Sequence, residues 1–286
     1  MTNNNSKVWL ITGSSTGFGR SLSEAVLKQG DRVIATARKP EQLGDLANQY
    51  PDTAKAVRLD VTNLQEIQNA VNIALETFGQ IDVLVNNAGY ALLGAVEEVT
   101  DTDIEQQFAT NFFGALNVTR AVLPKMRGRR SGHIVNITSI GGFVGGPGWG
   151  IYCATKFALE GLAECLALEV AHLVIHVTIV EPGAFRTNLG TSGTPTAKEI
   201  PDYAESSGRT REWRTNTAGR ELGDPQKAVQ AIIQVVESDH PPLRLVLGED
   251  AVNAAESKLN SFKAEIDAWK EVALSTAFAV ETGVKN

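Results

Sequence analysis

The chain has 286 residues, of which 43% are hydrophobic and 21% charged, the balance of a globular protein able to bury a large core. Its formal net charge of -7 is offset by no basic patch beyond the short run Arg127-Gly128-Arg129-Arg130, which argues against a nucleic-acid or anionic-membrane partner. Two cysteines, Cys153 and Cys165, read as small apolar fillers in a reducing compartment, and His133, His172, His176 and His240 lack metal-ligand spacing, so no metal is expected. The polar start Met1 to Asn5 does not read as a signal peptide, and no apolar run reaches the roughly 18 residues a membrane span needs. The expectation is a cytoplasmic protein.

Short β-branched runs alternate with longer amphipathic ones. Val8 to Ile11 predicts a buried strand, Arg20 to Gln29 a helix closed by Gly30, and Arg32 to Ala35 a second strand. Ala56 to Leu59 predicts a third strand, Asn63 to Phe78 a helix closed by Gly79, and Ile81 to Val85 a fourth strand. Asp101 to Met126 suits one long helix, His133 to Ile137 a fifth strand, Ile151 to Ala171 a helix and Ile175 to Val180 a sixth strand. Such alternation predicts an α/β fold, a doubly wound central parallel sheet flanked by helices. After Pro182 the rhythm changes. Residues 185–222 are rich in Gly, Ser, Thr, Pro and charge, and read as a substrate lid rather than a second domain. Asp224 to Glu237 then predicts a helix, Leu243 to Leu247 a last strand, and Glu249 to Leu274 a C-terminal helix. One domain over 1–286 is expected: a core at 6–184, the lid, and a closing helix-strand-helix at 223–286.

Two stretches carry chemistry. The turn Gly13-Ser14-Ser15-Thr16-Gly17-Phe18-Gly19 follows a strand and precedes a helix. Its glycines let backbone amides approach a diphosphate, the helix start adds positive potential, and Ser14, Ser15 and Thr16 offer hydroxyls. Downstream, Tyr152 and Lys156 stand at i and i+4 of a predicted helix and share a face. The ammonium is expected to draw the phenol down from its ordinary value of roughly 10, giving a proton donor and acceptor usable at neutral pH. Ser139 and Asn111 lie upstream and complete a set suited to moving a proton while a nicotinamide moves a hydride.

The chain resembles the short-chain dehydrogenase/reductase family. The matching pieces are Thr12-Gly13-x-x-x-Gly17-x-Gly19, Asp60-Val61, Asn86-Asn87-Ala88-Gly89, Asn111, Ser139, Tyr152-x-x-x-Lys156 and Pro182-Gly183, in the family's order over roughly residues 6 to 190. The resemblance implies a Rossmann domain that binds NAD(P). It implies an adenine contact at Asp60 and Val61, a floor beneath the adenosine ribose at Asn87, Ala88 and Gly89, and Lys156 on the nicotinamide ribose. Pro182, Gly183 and Phe185 are expected to bend the chain around the nicotinamide, with Thr187 near its amide. Tyr152 is expected as acid in reduction and base in oxidation, Ser139 as the group holding the substrate oxygen, and the Asn111 backbone as the holder of a water joining Lys156 to solvent. Phe18 stands where the family usually has isoleucine.

Dinucleotide choice is read at the end of the second strand, where an acid binds a ribose 2′-hydroxyl. Here stands Ala37-Arg38-Lys39, with no acid to repel a 2′-phosphate and with Arg38 able to bind one, so NADP(H) is expected over NAD(H). Ser139, Phe143, Trp149, Tyr152, Phe185 and Leu189 are the candidate substrate pocket and suggest an apolar ketone, aldehyde or alcohol. A catalytically silent dinucleotide-sensing or scaffold protein on the same fold is the alternative. By resemblance, a homodimer or homotetramer is expected, paired through the helices at 101–126 and 151–171.

Overall fold

The computed structural model describes residues 6–187, 194–195 and 198–278. In chain order its first elements are β1 (Val8–Ile11), α1 (Gly17–Lys28), β2 (Arg32–Ala37), α2 (Gly44–Gln49), β3 (Ala54–Arg58), α3 (Leu64–Phe78) and β4 (Val83–Asn86). There follow β5 (Leu92–Leu93), α4 (Asp101–Phe108), α5 (Ala115–Arg129), β6 (Gly132–Ile137), α6 (Gly150–Val170) and β7 (Ile175–Pro182). The last are β8 (Thr194–Pro195), α7 (Arg209–Thr217), α8 (Pro225–Glu237), β9 (Arg244–Leu247) and α9 (Glu249–Leu274).

Seven strands form one parallel sheet in the order β3-β2-β1-β4-β6-β7-β9. Successive strand residues face opposite sides, so each strand feeds two cores. Trp9, Ile11, Val33 and Val85 pack against Leu22 and Val26 of α1 and Ile232 and Ile233 of α8. Leu10, Ile34, Leu84 and Ile134 pack against Ile67 and Val71 of α3, Val122 of α5 and Ala163 of α6. This is the doubly wound fold the alternation predicts. The order reverses between β1 and β4, and the crevice outside their carboxyl ends is where such a sheet opens for a ligand.

Local signals explain the helix ends. The Asn63 side chain accepts from the amides of Gln65 and Glu66 at 3.0 and 3.2 Å and starts α3, while Gly79 closes it at φ +80°. Asp224 accepts from the Gln226 amide at 2.8 Å and, with Pro225 in the first turn, starts α8.

Two regions depart from expectation. The helix predicted over 101–126 is interrupted at Ala109–Gly114 by a π-helical turn. Here Asn111 turns inward onto the backbone of Tyr90, and a Cβ on Gly114 would stand 2.6 Å from Val61. The segment expected as an irregular lid contains α7 and is tied to the body. Arg211 donates to the Glu98 carboxylate at 2.8 Å, and the amides of Ile200 and Ala95 donate to it at 2.8 and 2.7 Å. Burial pushes that carboxyl up, but these donors outweigh it and hold Glu98 at about 2. Sparse apolar residues hid the helix, because its anchor is polar and lies over a hundred residues away.

Arg244 of β9 ties three elements together. Its guanidinium donates to Glu160 of α6 at 2.5 Å and also to Glu164 of α6 and Glu181 of β7. The side chains of Glu160 and Glu181 are only 4% and 2% exposed. Burial, with Glu181 adding repulsion, pushes the Glu160 carboxyl up to about 7 even though Arg244 pulls it down. A carboxyl held above its unfolded value favours the protonated fold, so its contribution is lost as pH rises from the ordinary 4.5 to about 7. Arg244→Gln leaves buried carboxylates without their cation and should cost about 3–5 kcal/mol at around pH 8. The loss should be smaller near pH 5.5, where Glu160 takes a proton. Urea melts at both pH values test this; equal losses would refute it.

Candidate active site

The crevice at the carboxyl ends of β1 and β4 is one continuous cleft of about 1210 Å³. At one end lies the β1–α1 turn. Gly13 and Gly17 adopt left-handed backbone, φ +68° and +56°, which a side chain would strain. A Cβ on Gly19 would stand 2.5 Å from the Asn87 side-chain nitrogen, so this glycine serves close packing and is not itself in the cleft wall. Ser15, Thr16, Gly17 and Phe18 line the cleft, and among the described residues no side chain caps α1, leaving its first amides for a ligand.

Ser14 departs from its expected role. It is fully buried, its hydroxyl donates to the Ile11 carbonyl at 2.9 Å and accepts from the Thr36 amide at 3.3 Å, and its own amide donates to the Thr36 carbonyl at 2.8 Å. Both of its polar groups join β1 to β2 rather than facing an anion.

The far wall of this end is built by Ala37, exposed Arg38, Asp60, Val61, Asn87, Ala88 and Gly89. Asp60 accepts from the Thr62 amide at 3.0 Å and hydroxyl at 2.7 Å. Burial raises its carboxyl, but Thr62, Arg38 and Arg58 hold it below its ordinary value. The Asn87 side chain donates to the carbonyls of Thr12 and Gly13 at 2.8 and 3.1 Å. Asn86 instead donates to Thr119 and Asn136, both at 2.9 Å, and ties β4 to its neighbours. Free amides, left-handed glycines and a cation beside an acid-free strand end suit a dinucleotide: a diphosphate at α1, an adenosine between Arg38 and Val61.

At the other end Ser139, Tyr152 and Lys156 converge with Asn111. Ser139 follows β6, and its hydroxyl accepts from the Gly141 amide at 3.0 Å. A Cβ on Gly141 would stand 3.3 Å from the Tyr152 ring and 3.4 Å from the Ser139 hydroxyl, so the missing side chain there lets both groups lie against this turn. Tyr152 and Lys156 sit on α6, both buried, with the ammonium 5.8 Å from the ring centroid and donating to the Ile137 carbonyl at 2.9 Å. The Asn111 amide nitrogen donates to the Tyr90 carbonyl at 2.9 Å and to the Thr155 hydroxyl at 3.2 Å, while its oxygen accepts from the Tyr90 amide at 3.1 Å. A Cβ on Gly89 would stand 3.1 Å from the Asn111 oxygen and 3.7 Å from the Lys156 nitrogen.

The electrostatics differ from expectation. Burial pushes the Tyr152 phenol up to about 12, and the Ser139 hydroxyl only partly opposes this. Burial likewise lowers Lys156 to about 8, with Glu160 opposing. Desolvation governs the phenol and outweighs the polar groups beside it.

Pro182 and Gly183 turn the chain after β7. The Asp250 carboxylate accepts from the Ala184 amide at 2.7 Å and occupies the space a Gly183 side chain would need. Phe185 stacks edge-on against Phe18 at 5.3 Å and lines the cleft with Thr187. Trp149 stacks edge-on against Tyr152 at 5.9 Å. Phe143, expected in the substrate pocket, is not in the cleft wall; its ring lies under the Arg244 guanidinium at 5.7 Å. Leu189 lies outside the described residues. Sequence reasoning missed Arg214 of α7, which lines the cleft 5.2 Å above the Trp149 ring. Trp213, Arg214 and Thr217 share the cleft-facing side of α7, a pattern visible only once that segment is known to be helical.

The model of the family described as short chain dehydrogenase matches residues 7–198. The chain belongs to the short-chain dehydrogenase family. It is an oxidoreductase of that family, which sets aside the silent sensor. Oxidoreductase BOA17 of Botryotinia fuckeliana (strain B05.10) is 41% identical to this dehydrogenase over 272 residues, 95% of this chain and 99% of its own. The 3-ketodihydrosphingosine reductase of Bacteroides thetaiotaomicron is 39% identical over 252 residues, 85% of this chain and 88% of its own. A solved short-chain dehydrogenase from Streptomyces avermitilis is 46% identical with a TM-score of 0.89, over 96% of this chain and 100% of its own. Solved neighbours of the dehydrogenase hold either dinucleotide. ElxO with NADP bound is 26% identical with a TM-score of 0.73, over 87% of this chain and 99% of its own. The 3-ketoacyl-(acyl-carrier-protein) reductase of Brucella melitensis, complexed with NADH, is also 26% identical, with a TM-score of 0.72 over 84% and 96%. Among the described residues no helix is long and apolar enough to cross a membrane.

The inward hydroxyl of Ser14 yields a test of its reassignment. Ser14→Ala should cost about 1–3 kcal/mol of stability, the penalty of a buried donor left unpaired. Dinucleotide affinity of the folded dehydrogenase should not change. Urea melts and a cofactor titration measure both; a tenfold weaker affinity at unchanged stability would return Ser14 to the phosphate site.

Proposed function

We propose that this dehydrogenase interconverts a ketone or aldehyde and the corresponding alcohol with NADP(H). The carrying observation is a buried, neutral Tyr152 phenol beside the Ser139 hydroxyl, at the end of a cleft whose other end suits a dinucleotide. The bound cofactor supplies or accepts the hydride. The protein's part is to hold the carbonyl oxygen and move one proton. Ser139 donates to the substrate oxygen, and Tyr152 passes its phenolic proton to that oxygen as negative charge grows there. A phenol held at about 12 is fully protonated at neutral pH and stands ready as the acid. Oxidation starts from the phenolate, which burial disfavours. Lys156, buried 5.8 Å from the ring, then stabilises the phenolate left behind and would hold the ribose hydroxyls of a bound cofactor. Asn111 fixes the π-helical turn against Tyr90 and Thr155 and so sets α6 against the cleft floor.

Trp149, Phe185 and Trp213 give the substrate end an apolar aromatic wall, with Arg214 as its cation. That wall suits a carbonyl on an apolar body that carries a polar group within reach of Arg214. The name of the Bacteroides relative, a 3-ketodihydrosphingosine reductase, agrees with reduction of a ketone on a long apolar body. The polar stretch 185–222 is the candidate lid over this end, and the helices α4, α5 and α6 remain the candidate surface for pairing of whole domains.

Two substitutions test the reading. Tyr152→Phe removes the transferable proton and keeps the ring, so turnover should fall about 10²- to 10⁴-fold while cofactor affinity is kept. A folded Phe variant within a few fold of wild type would remove Tyr152 from the proton path. Arg38→Ala should weaken NADPH by roughly tenfold to a hundredfold and leave NADH unchanged, because only the 2′-phosphate meets the guanidinium. Michaelis constants for both cofactors measure it; a wild-type preference for NADH would overturn the assignment.

A further inference from the structure

Helix α9 leaves the body soon after it begins. Among its residues only Ala251 is buried, and every residue from Glu256 to Leu274 is exposed. At 26 residues it is about 39 Å long. Its apolar residues are not scattered. Val252, Ala255, Leu259, Phe262, Ile266 and Trp269 follow one another at alternating steps of three and four. That spacing keeps a seam on one face and is the pattern of helices that wind around another helix. Leu259, Phe262, Ile266 and Trp269 are 56%, 56%, 48% and 67% exposed, so the seam stands open to water. Large side chains gathered in one stripe mark an interaction surface.

Charge selects the occupant. The helix carries six acidic residues and three lysines, a balance unsuited to an anionic lipid surface. It is suited to itself. When two copies run antiparallel with Leu259 facing Phe262 of the other, Ala255 meets Ile266 and Val252 meets Trp269. The flanking residues then pair as Lys258 with Glu265, Glu256 with Lys263, and Glu249 with Lys270, every pair of opposite sign. The parallel arrangement sets Lys258 against Lys263. Lys263 also donates to Asp267 of its own helix at 2.6 Å, but Asp267 lies off the seam and both groups are exposed. We propose that α9 is a docking helix for a second copy of this chain, paired antiparallel through the Leu259–Phe262 seam about a two-fold axis. Such a self-complementary patch closes on two copies.

The seam side chains are exposed, so replacing them leaves the folded domain intact. Light scattering of the full chain at tens of micromolar should show that Phe262→Glu/Ile266→Glu has half the mass of wild type, whatever else the domain surface does. Equal masses would overturn the proposal. Lys258→Glu turns two symmetric attractions into repulsions and should weaken association roughly tenfold. The swap Lys258→Glu/Glu265→Lys should restore it. Tighter association of Lys258→Glu would indicate a parallel pair, and a failed restoration would show that these charges do not meet; either result refutes the antiparallel pair.

Discussion

The two halves of the sheet diverge between β1 and β4, and one side chain holds the point of divergence. Asn87 donates from β4's end to the carbonyls of Thr12 and Gly13 at β1's end, while the Thr12 hydroxyl accepts from the Asn87 and Ala88 amides at 2.9 and 3.0 Å. These bonds satisfy backbone groups that the parallel ladder leaves unpaired where the strands part. They also set how closely the glycine turn approaches the Ala88–Gly89 floor. Gly13 and Gly19 are required by this approach as much as by any ligand, since a Cβ at either would strike the Asn87 side chain or Ala88. The cleft is therefore a consequence of topology, held open at a fixed width by one amide.

The chemistry lies along α6, which runs behind that cleft. Tyr152, Lys156 and Glu160 recur at steps of four and share one buried face. Burial is the dominant influence on all three, and it acts in opposite directions on acids and bases. The neutral Tyr152 costs less to bury than a charge would, whereas Lys156 needs the Ile137 carbonyl and Glu160 needs Arg244. The network that anchors β9 to α6 is thus also the support of the lysine beside the phenol.

Much of this was legible in the chain. Period-two and period-3.6 patterns found the strands of the main sheet and most of the helices, because burial on two sheet faces imposes those periods. Glycines marked the β1–α1 turn because left-handed backbone and close packing tolerate little else. What escaped was set by long-range partners. Ser14 points inward because β2 needs its hydroxyl. Phe143 leaves the pocket because Arg244, a hundred residues later, offers its guanidinium to the ring. Arg214 reaches the cleft on a helix that Arg211 ties to Glu98 and Thr210 to the Pro147 carbonyl. The phenol rises instead of falling because burial outweighs its polar neighbours. Side-chain spacing along α6 gives proximity, but not the direction of a proton.

The same reasoning bounds the charge state of the α6 face. Glu160, held at about 7, carries its negative charge only above that value, and Lys156, held at about 8, keeps its positive charge only below it. Burial thus pushes both toward neutrality from opposite sides, so the interval in which both are ionised is narrower than for the free side chains. Below it the carboxyl is neutral and no longer favours the ammonium. Above it the lysine is neutral and can no longer support a phenolate. A developing phenolate brings negative charge toward Lys156 and raises it, widening the interval from the upper side. Proton transfer thus reinforces the charge on which it depends, while the lower limit stays with Glu160 and its hold on Arg244.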